Sequence, residues 1–348
     1  MVGLTLLVIG LSIYSGETAS ADLELRGQIL GSYITKDSNN SFGFSIRRAR
    51  IILDGFLFSK KIKYYEQLTV EGGSLSLRDL YLTIKPLEIF GVTLGQFKVP
   101  YNREELTSSS KLELVERSIT NEYFFLGRDI GVDVSFGPEK YKLRLGAFTG
   151  AGRNITRLDP TVRPSKNLLY TARLELSPLG KFIYDQPNLK GEKAVNIGGS
   201  VAVFPLSTAE SIKITDRSDL SDFIKRYVIQ ERNLRSSGTL LQGESDLKIW
   251  WDFVGLELEG LYAKFRDFGE AFGLRAQPSV VFQNFGFALR YSLISPKGEK
   301  NIWEITAGPS YYFHGHNLKV QADYSFISDP TFNEKRNLIR VQLQFVVK

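Results

Sequence analysis

The sequence predicts an all-β transmembrane antiparallel β-barrel of 16 strands with an inward-folded third loop, and four observations predict it. Apolar and polar residues alternate along nearly the whole chain, in runs of about ten residues, the pattern of strands with one apolar and one polar face. The polar faces carry Arg, Lys and small residues, as a wet lumen requires. The apolar faces gather Phe, Tyr and Trp near segment ends, as the aromatic girdles of a membrane barrel do. The segments so counted are even in number, which lets an up-and-down barrel begin and end on the same side.

Composition narrows the alternatives. The chain has 348 residues, 43% of them hydrophobic, and a formal charge of +6. That length suits two soluble domains or one large barrel, and no helical period, linker or second domain interrupts the alternation. The absence of Cys excludes a disulfide scaffold, thiolate metal sites and cysteine nucleophiles. His314 and His316 are the only histidines and sit together in a polar turn, so neither a metal site nor histidine catalysis is expected. A mean hydropathy of −0.13 excludes a polytopic helical membrane protein, yet it is what a lipid face averaged with a water face produces.

The elements follow in order. Residues 1–21 read as a signal peptide: 4–14 (LTLLVIGLSIY) has the length of an apolar h-region, and Ala19-Ser20-Ala21 forms a small-residue cleavage site. No Lys or Arg precedes that run. The mature barrel domain then occupies 22–348, beginning Asp22-Leu23-Glu24. Strands are expected at 23–34, 43–57, 61–70, 76–85, 89–98, 128–137, 139–149, 167–177, 193–204, 239–252, 254–266, 270–281, 283–293, 301–313, 316–327 and 336–347. The last is the cleanest, with Ile339, Val341, Leu343, Phe345 and Val347 opposite Arg340, Gln342 and Gln344. Connections after even-numbered strands are tight, with 178–192 the exception; those after odd-numbered strands include the long loops 99–127, 150–166 and 205–238. Short turns on one side and long loops on the other are the build of bacterial outer-membrane barrels, and this parity makes both termini periplasmic. A helical turn is expected within 104–116.

Residues 43–131 carry a more specific signal. Arg47-Arg48-Ala49-Arg50 lies in the second strand, and Leu77-Arg78-Asp79-Leu80-Tyr81 in the fourth. Gly95-Gln96-Phe97-Lys98-Val99-Pro100-Tyr101 follows, running into Glu104-Glu105-Leu106-Thr107-Ser108-Ser109 and Glu116-Arg117-Ser118. With these motifs the chain resembles the phosphate-selective porin O/P family of bacterial outer membranes. The resemblance implies a homotrimeric anion channel for phosphate or polyphosphate, whose third loop enters the lumen. It maps the central binding region onto Arg47, Arg48, Arg50, Asp79, Lys98, Tyr101 and Lys111.

The residues themselves agree in part. The 99–127 connection has the length and position of a constriction, although its bases are matched by Glu104, Glu105, Glu113, Glu116 and Glu122. Arg48 and Arg50 share a polar face, Lys63 lies on the polar face of the third strand, and Lys98 closes that of the fifth. Strict alternation turns Arg47 outward, which implies either contact with lipid headgroups or a β-bulge. Arg suits phosphate because its planar fork donates two parallel hydrogen bonds, and an acid such as Asp79 both holds the bases and keeps an anion from binding too tightly to leave. In the 205–238 loop, Arg226, Arg232 and Arg235 form a candidate vestibule; the acids among them fit a solvated loop equally well. No basic patch interleaved with aromatics points to nucleic acid. The expected partners are outer-membrane lipid and lipopolysaccharide, small anions and two further copies of the chain, with no cofactor. A general or differently selective porin is the alternative. An enzyme or adhesin ranks lower, because the histidines sit at a turn and only 205–238 is long enough for a large surface loop.

Overall fold

The structure, a computed structural model, describes residues 12–15, 18–36, 39–71, 73–150, 152–154, 168–206, 221–229, 238–266, 269–330 and 334–348. Sixteen long strands form it: β1 (Ala19–Lys36), β2 (Asn39–Leu57), β3 (Ser59–Glu71), β4 (Ser74–Leu87), β5 (Phe90–Lys98), β6 (Arg128–Phe136), β7 (Tyr141–Phe148) and β8 (Leu169–Leu179), then β9 (Ala194–Leu206), β10 (Gly238–Trp251), β11 (Val254–Phe265), β12 (Gly269–Phe282), β13 (Phe285–Pro296), β14 (Ile302–His316), β15 (Leu318–Asp329) and β16 (Glu334–Val347). Each pairs antiparallel with the next. β16 returns to pair with β1, from Arg336 opposite Lys36 to Val347 opposite Leu25, and closes the barrel. Closure leaves no unpaired edge, the condition for burying a sheet in lipid. A four-residue strand, Ser12–Ser15, pairs with the start of β1 inside the expected leader.

The alternation becomes an inside-out distribution of side chains. On β16, Val341 is 49% exposed and Gln342 beside it 1%. A soluble sandwich would reverse those values. Trp251, Phe253, Phe282, Phe285 and Phe313 stand exposed where β10–β14 meet their short turns, one of the two aromatic girdles. The turn rim also holds the start of β1 and the end of β16, where Lys348 Nζ lies 2.9 Å from Glu24. The opposite rim carries the long connections.

Two of the bulges in the ladder fall on arginines. Between β1 and β2, Gln28 pairs with Arg48 but Ile29 pairs with Ile46, which skips Arg47. Between β3 and β4, Gln67 pairs with Asp79 but Leu68 pairs with Leu77, which skips Arg78. The extra residue flips the parity of the strand, so Ile46 is exposed to the outside while Arg48 is buried. Arg47 therefore does not turn away from its neighbour, as strict alternation had it.

Gly95 has a backbone reason. It pairs with Tyr81 at φ 129°, and a Cβ there would stand 2.2 Å from the Leu80 carbonyl oxygen. Only glycine permits both the conformation and the approach.

The 99–127 connection holds two short helices, α1 (Arg103–Leu106) and α2 (Ile119–Phe124), with a 3-10 turn at Ser109–Lys111. The helical turn expected within 104–116 is there, as most of α1 and the 3-10 turn, while α2 lies beyond it. Ser118 sets the start of α2, its hydroxyl accepting from the Asn121 N–H at 3.0 Å.

Candidate functional site

The basic cluster is assembled by adjoining strands and by the 99–127 segment. From β2, Arg48 donates to Gln28 Oε1 at 2.9 Å and lies 3.2 Å from Glu116; Arg47 forms a two-pronged pair with the same carboxylate. Arg50 donates from Nη1 to Ser109 Oγ at 2.9 Å, and its buried Nε has no hydrogen-bond partner among the described residues. On β4, Asp79 accepts from Arg128 Nε with both oxygens, at 3.0 and 3.1 Å. Lys98, at the end of β5, donates to the Glu105 and Thr107 carbonyls. Burial alone would push the Glu105 and Glu116 carboxyls up. The cations around them, Arg117, Lys98 and Arg128 for the first and Arg48 and Arg47 for the second, hold both down at about 2. Both acids therefore stay ionised and partly neutralise the bases they touch.

Gln28 and Glu116 apart, these side chains line a cavity of about 710 Å³ with Arg78, Arg117, Lys142, Arg144 and Lys85 among its walls. Ten of the lining residues are Arg or Lys and five are Asp or Glu. The whole chain, with 44 bases against 38 acids, has no such imbalance, so the excess of positive charge is local to this space.

The remaining wall is engaged by the 99–127 segment itself. Arg103 lies 2.5 Å from Asp246 on β10, which also pairs with Arg173 of β8 at 2.6 Å. Arg290 on β13 bridges Glu104 at 3.5 Å and Glu304 of β14 at 2.5 Å. Backbone groups add to this: Val115 N–H donates to Asp323 on β15 at 2.9 Å, and the Leu112 carbonyl accepts from Lys319 at 2.7 Å. Nearly all of these groups are buried, so each charge needs the partner it has.

The structure brings Arg47, Arg48, Arg50, Asp79 and Lys98 together around one cavity. It places the other expected residues elsewhere. Tyr101 is fully buried in an aromatic cluster, its hydroxyl donating to the Gly243 carbonyl at 2.9 Å. Lys111 pairs with Asp185 at 3.2 Å, in the long connection on the turn rim. Lys63 stays exposed two residues before Tyr65, toward the turn rim. Arg226 pairs with Glu299 at 2.7 Å on the loop rim, while Arg232 and Arg235 lie outside the described residues. Arg78, Arg128 and Arg144 belong to the cavity and were not among the expected site residues. The signal for Arg144 was its place on the polar face of β7, where it pairs with Asp133 at 2.7 Å.

A base-lined cavity inside a closed barrel is what the comparisons then meet. The family model for phosphate-selective porin O and P matches residues 26–176. That span contains the whole of the basic cluster described above. A protein of Aquifex aeolicus (strain VF5), carrying the name uncharacterized protein, is 26% identical over 276 residues, covering 74% of this chain and 64% of the relative. Among solved structures, the anion-selective porin from Comamonas acidovorans superposes with a TM-score of 0.67 at 11% identity, covering 94% of this chain and all of that one. The outer membrane channel DcaP of Acinetobacter baumannii gives 0.62 at 12% identity, covering 96% and 99% of the two chains. At these identities the two solved structures establish the barrel fold. The matched family and the apolar exterior place the chain in the bacterial outer membrane.

Proposed function

We propose that this barrel is an outer-membrane channel, not an enzyme, for passive diffusion of small anions, with phosphate or polyphosphate as the solute. The local excess of ten bases over five acids around one cavity carries the reading. Segment 99–127 acts as an inward-folded constriction. Its ion pairs to β10 and β13 and its backbone hydrogen bonds to Glu304 of β14 and Asp323 of β15 support this, since they leave the solute path against β2–β7, where the bases stand. Arg50 supplies an unpartnered N–H to an arriving anion, and Arg128 is held by Asp79. Glu105 and Glu116 limit the depth of the well, so that an anion can leave as well as enter. Residues 1–21 direct export and are removed after Ala21, and the mature chain associates as a homotrimer in contact with lipid and lipopolysaccharide.

Phosphate competition in a planar bilayer tests the solute. Inorganic phosphate on one side should lower chloride current through single channels in a saturable way. A chloride current indifferent to phosphate removes phosphate as the solute.

A further inference from the structure

The base-lined cavity has a second kind of wall that a channel for a small inorganic anion does not need. On the polar faces of β3 and β4, Tyr65 and Tyr81 stand opposite one another with ring centroids 5.2 Å apart and planes 19° from parallel. Phe97 of β5 continues the strip, 5.7 Å from Tyr81 in an edge contact. All three rings line the cavity, and the two tyrosines are only partly buried, so they remain accessible from inside it.

Register sets their distance from the charge. Tyr81 follows Asp79 by two residues on the same face, a rise of roughly 6.6 Å. Asp79 is the residue that grips Arg128, and Gln67, its partner across the ladder, stands two residues from Tyr65. The aromatic strip therefore begins one side-chain step from the cationic centre, on the turn-rim side. A cavity of about 710 Å³ falls in the range of roughly 300–1,000 Å³ that holds ring-bearing ligands, far more space than one phosphate ion fills.

We propose that the preferred solute is an organic anion: a phosphate or carboxylate group carried on a flat ring. This rests on the anion-channel reading above and narrows its substrate class. Arg50 and Arg128 take the charged group, while the ring packs against Tyr65 and Tyr81. Aromatic pairs favour offset or edge-to-face contact beyond the area they bury, enough to bind the ring-bearing anion about tenfold more tightly than the bare one.

Phenyl phosphate against inorganic phosphate tests this, because the two share a headgroup. Half-blocking concentrations for chloride current are measured in reconstituted wild-type channels, together with the reversal potential in a salt gradient. Phenyl phosphate should block at about one tenth of the phosphate concentration. The Tyr65→Leu/Tyr81→Leu double variant should bring the ratio close to one, and Tyr65→Phe/Tyr81→Phe, which keeps the rings, should preserve it. Equal or weaker block by phenyl phosphate in wild-type channels that are anion-selective overturns the organic-anion inference and leaves the channel reading standing. A cation-selective reversal potential overturns both. The wild-type comparison decides the matter even if the leucine variant does not fold.

Discussion

Arg50 has one guanidinium nitrogen bound to Ser109 and another buried without a partner. Hydrogen bonds to a charged group contribute about 1.5–3 kcal/mol, so Arg50→Ala should raise the half-blocking phosphate concentration by about ten- to a hundredfold. Arg48→Ala should act in the same direction but less, since Arg48 is already engaged by Gln28 and Glu116. Arg226→Ala, at the loop rim and paired with Glu299, should alter the salt dependence of anion capture and leave the depth of block close to wild type. Equal effects at all three positions would mean that no localised site exists. At this scale the sequence was legible only in part. Alternation identified Arg48 and Arg50 as facing one way and offered a bulge at Arg47 as one of two alternatives, but a bulge has no composition of its own, so the one at Arg78 was not readable. Tyr101 lies in the same motif run as Lys98, and Lys111 in the connection that follows it. Continuity along the chain could not tell a residue that packs the wall from one that lines the solute path.

At the scale of elements, the third loop is held by partners more than a hundred residues away in sequence, such as Glu104 with Arg290. Each strand showed its polar face, but the pairing of Asp246, Arg290 or Asp323 with the loop depends on which part of the barrel the loop crosses, and no local pattern encodes that. Removing one partner leaves a buried charge uncompensated, at a cost of about 3–5 kcal/mol. Arg290→Ala should therefore loosen the loop, seen as larger and noisier single-channel conductance. Unchanged conductance would mean that the loop does not set the constriction. Gly95→Ala tests the wall beside it. A Cβ would collide with the Leu80 carbonyl at a positive φ, so the variant should unfold at lower temperature, read from loss of the folded barrel's electrophoretic mobility on heating.

For the whole molecule, period two was sufficient. Every expected strand segment overlaps one observed strand, because each must satisfy lipid on one side and water on the other along its full length. The even count and the short-turn rim follow from the same constraint. Net charge was uninformative: +6 spread over 348 residues is a solubility statement, and the bases that matter are the ten gathered around one cavity. On the proposed function, selectivity is a property of where the third loop leaves the lumen open, against the most basic part of the wall. The reversal potential of reconstituted channels in a potassium chloride gradient measures that property directly. The account predicts a potential of the sign that chloride permeation sets; a potential of the sign that potassium sets would contradict it.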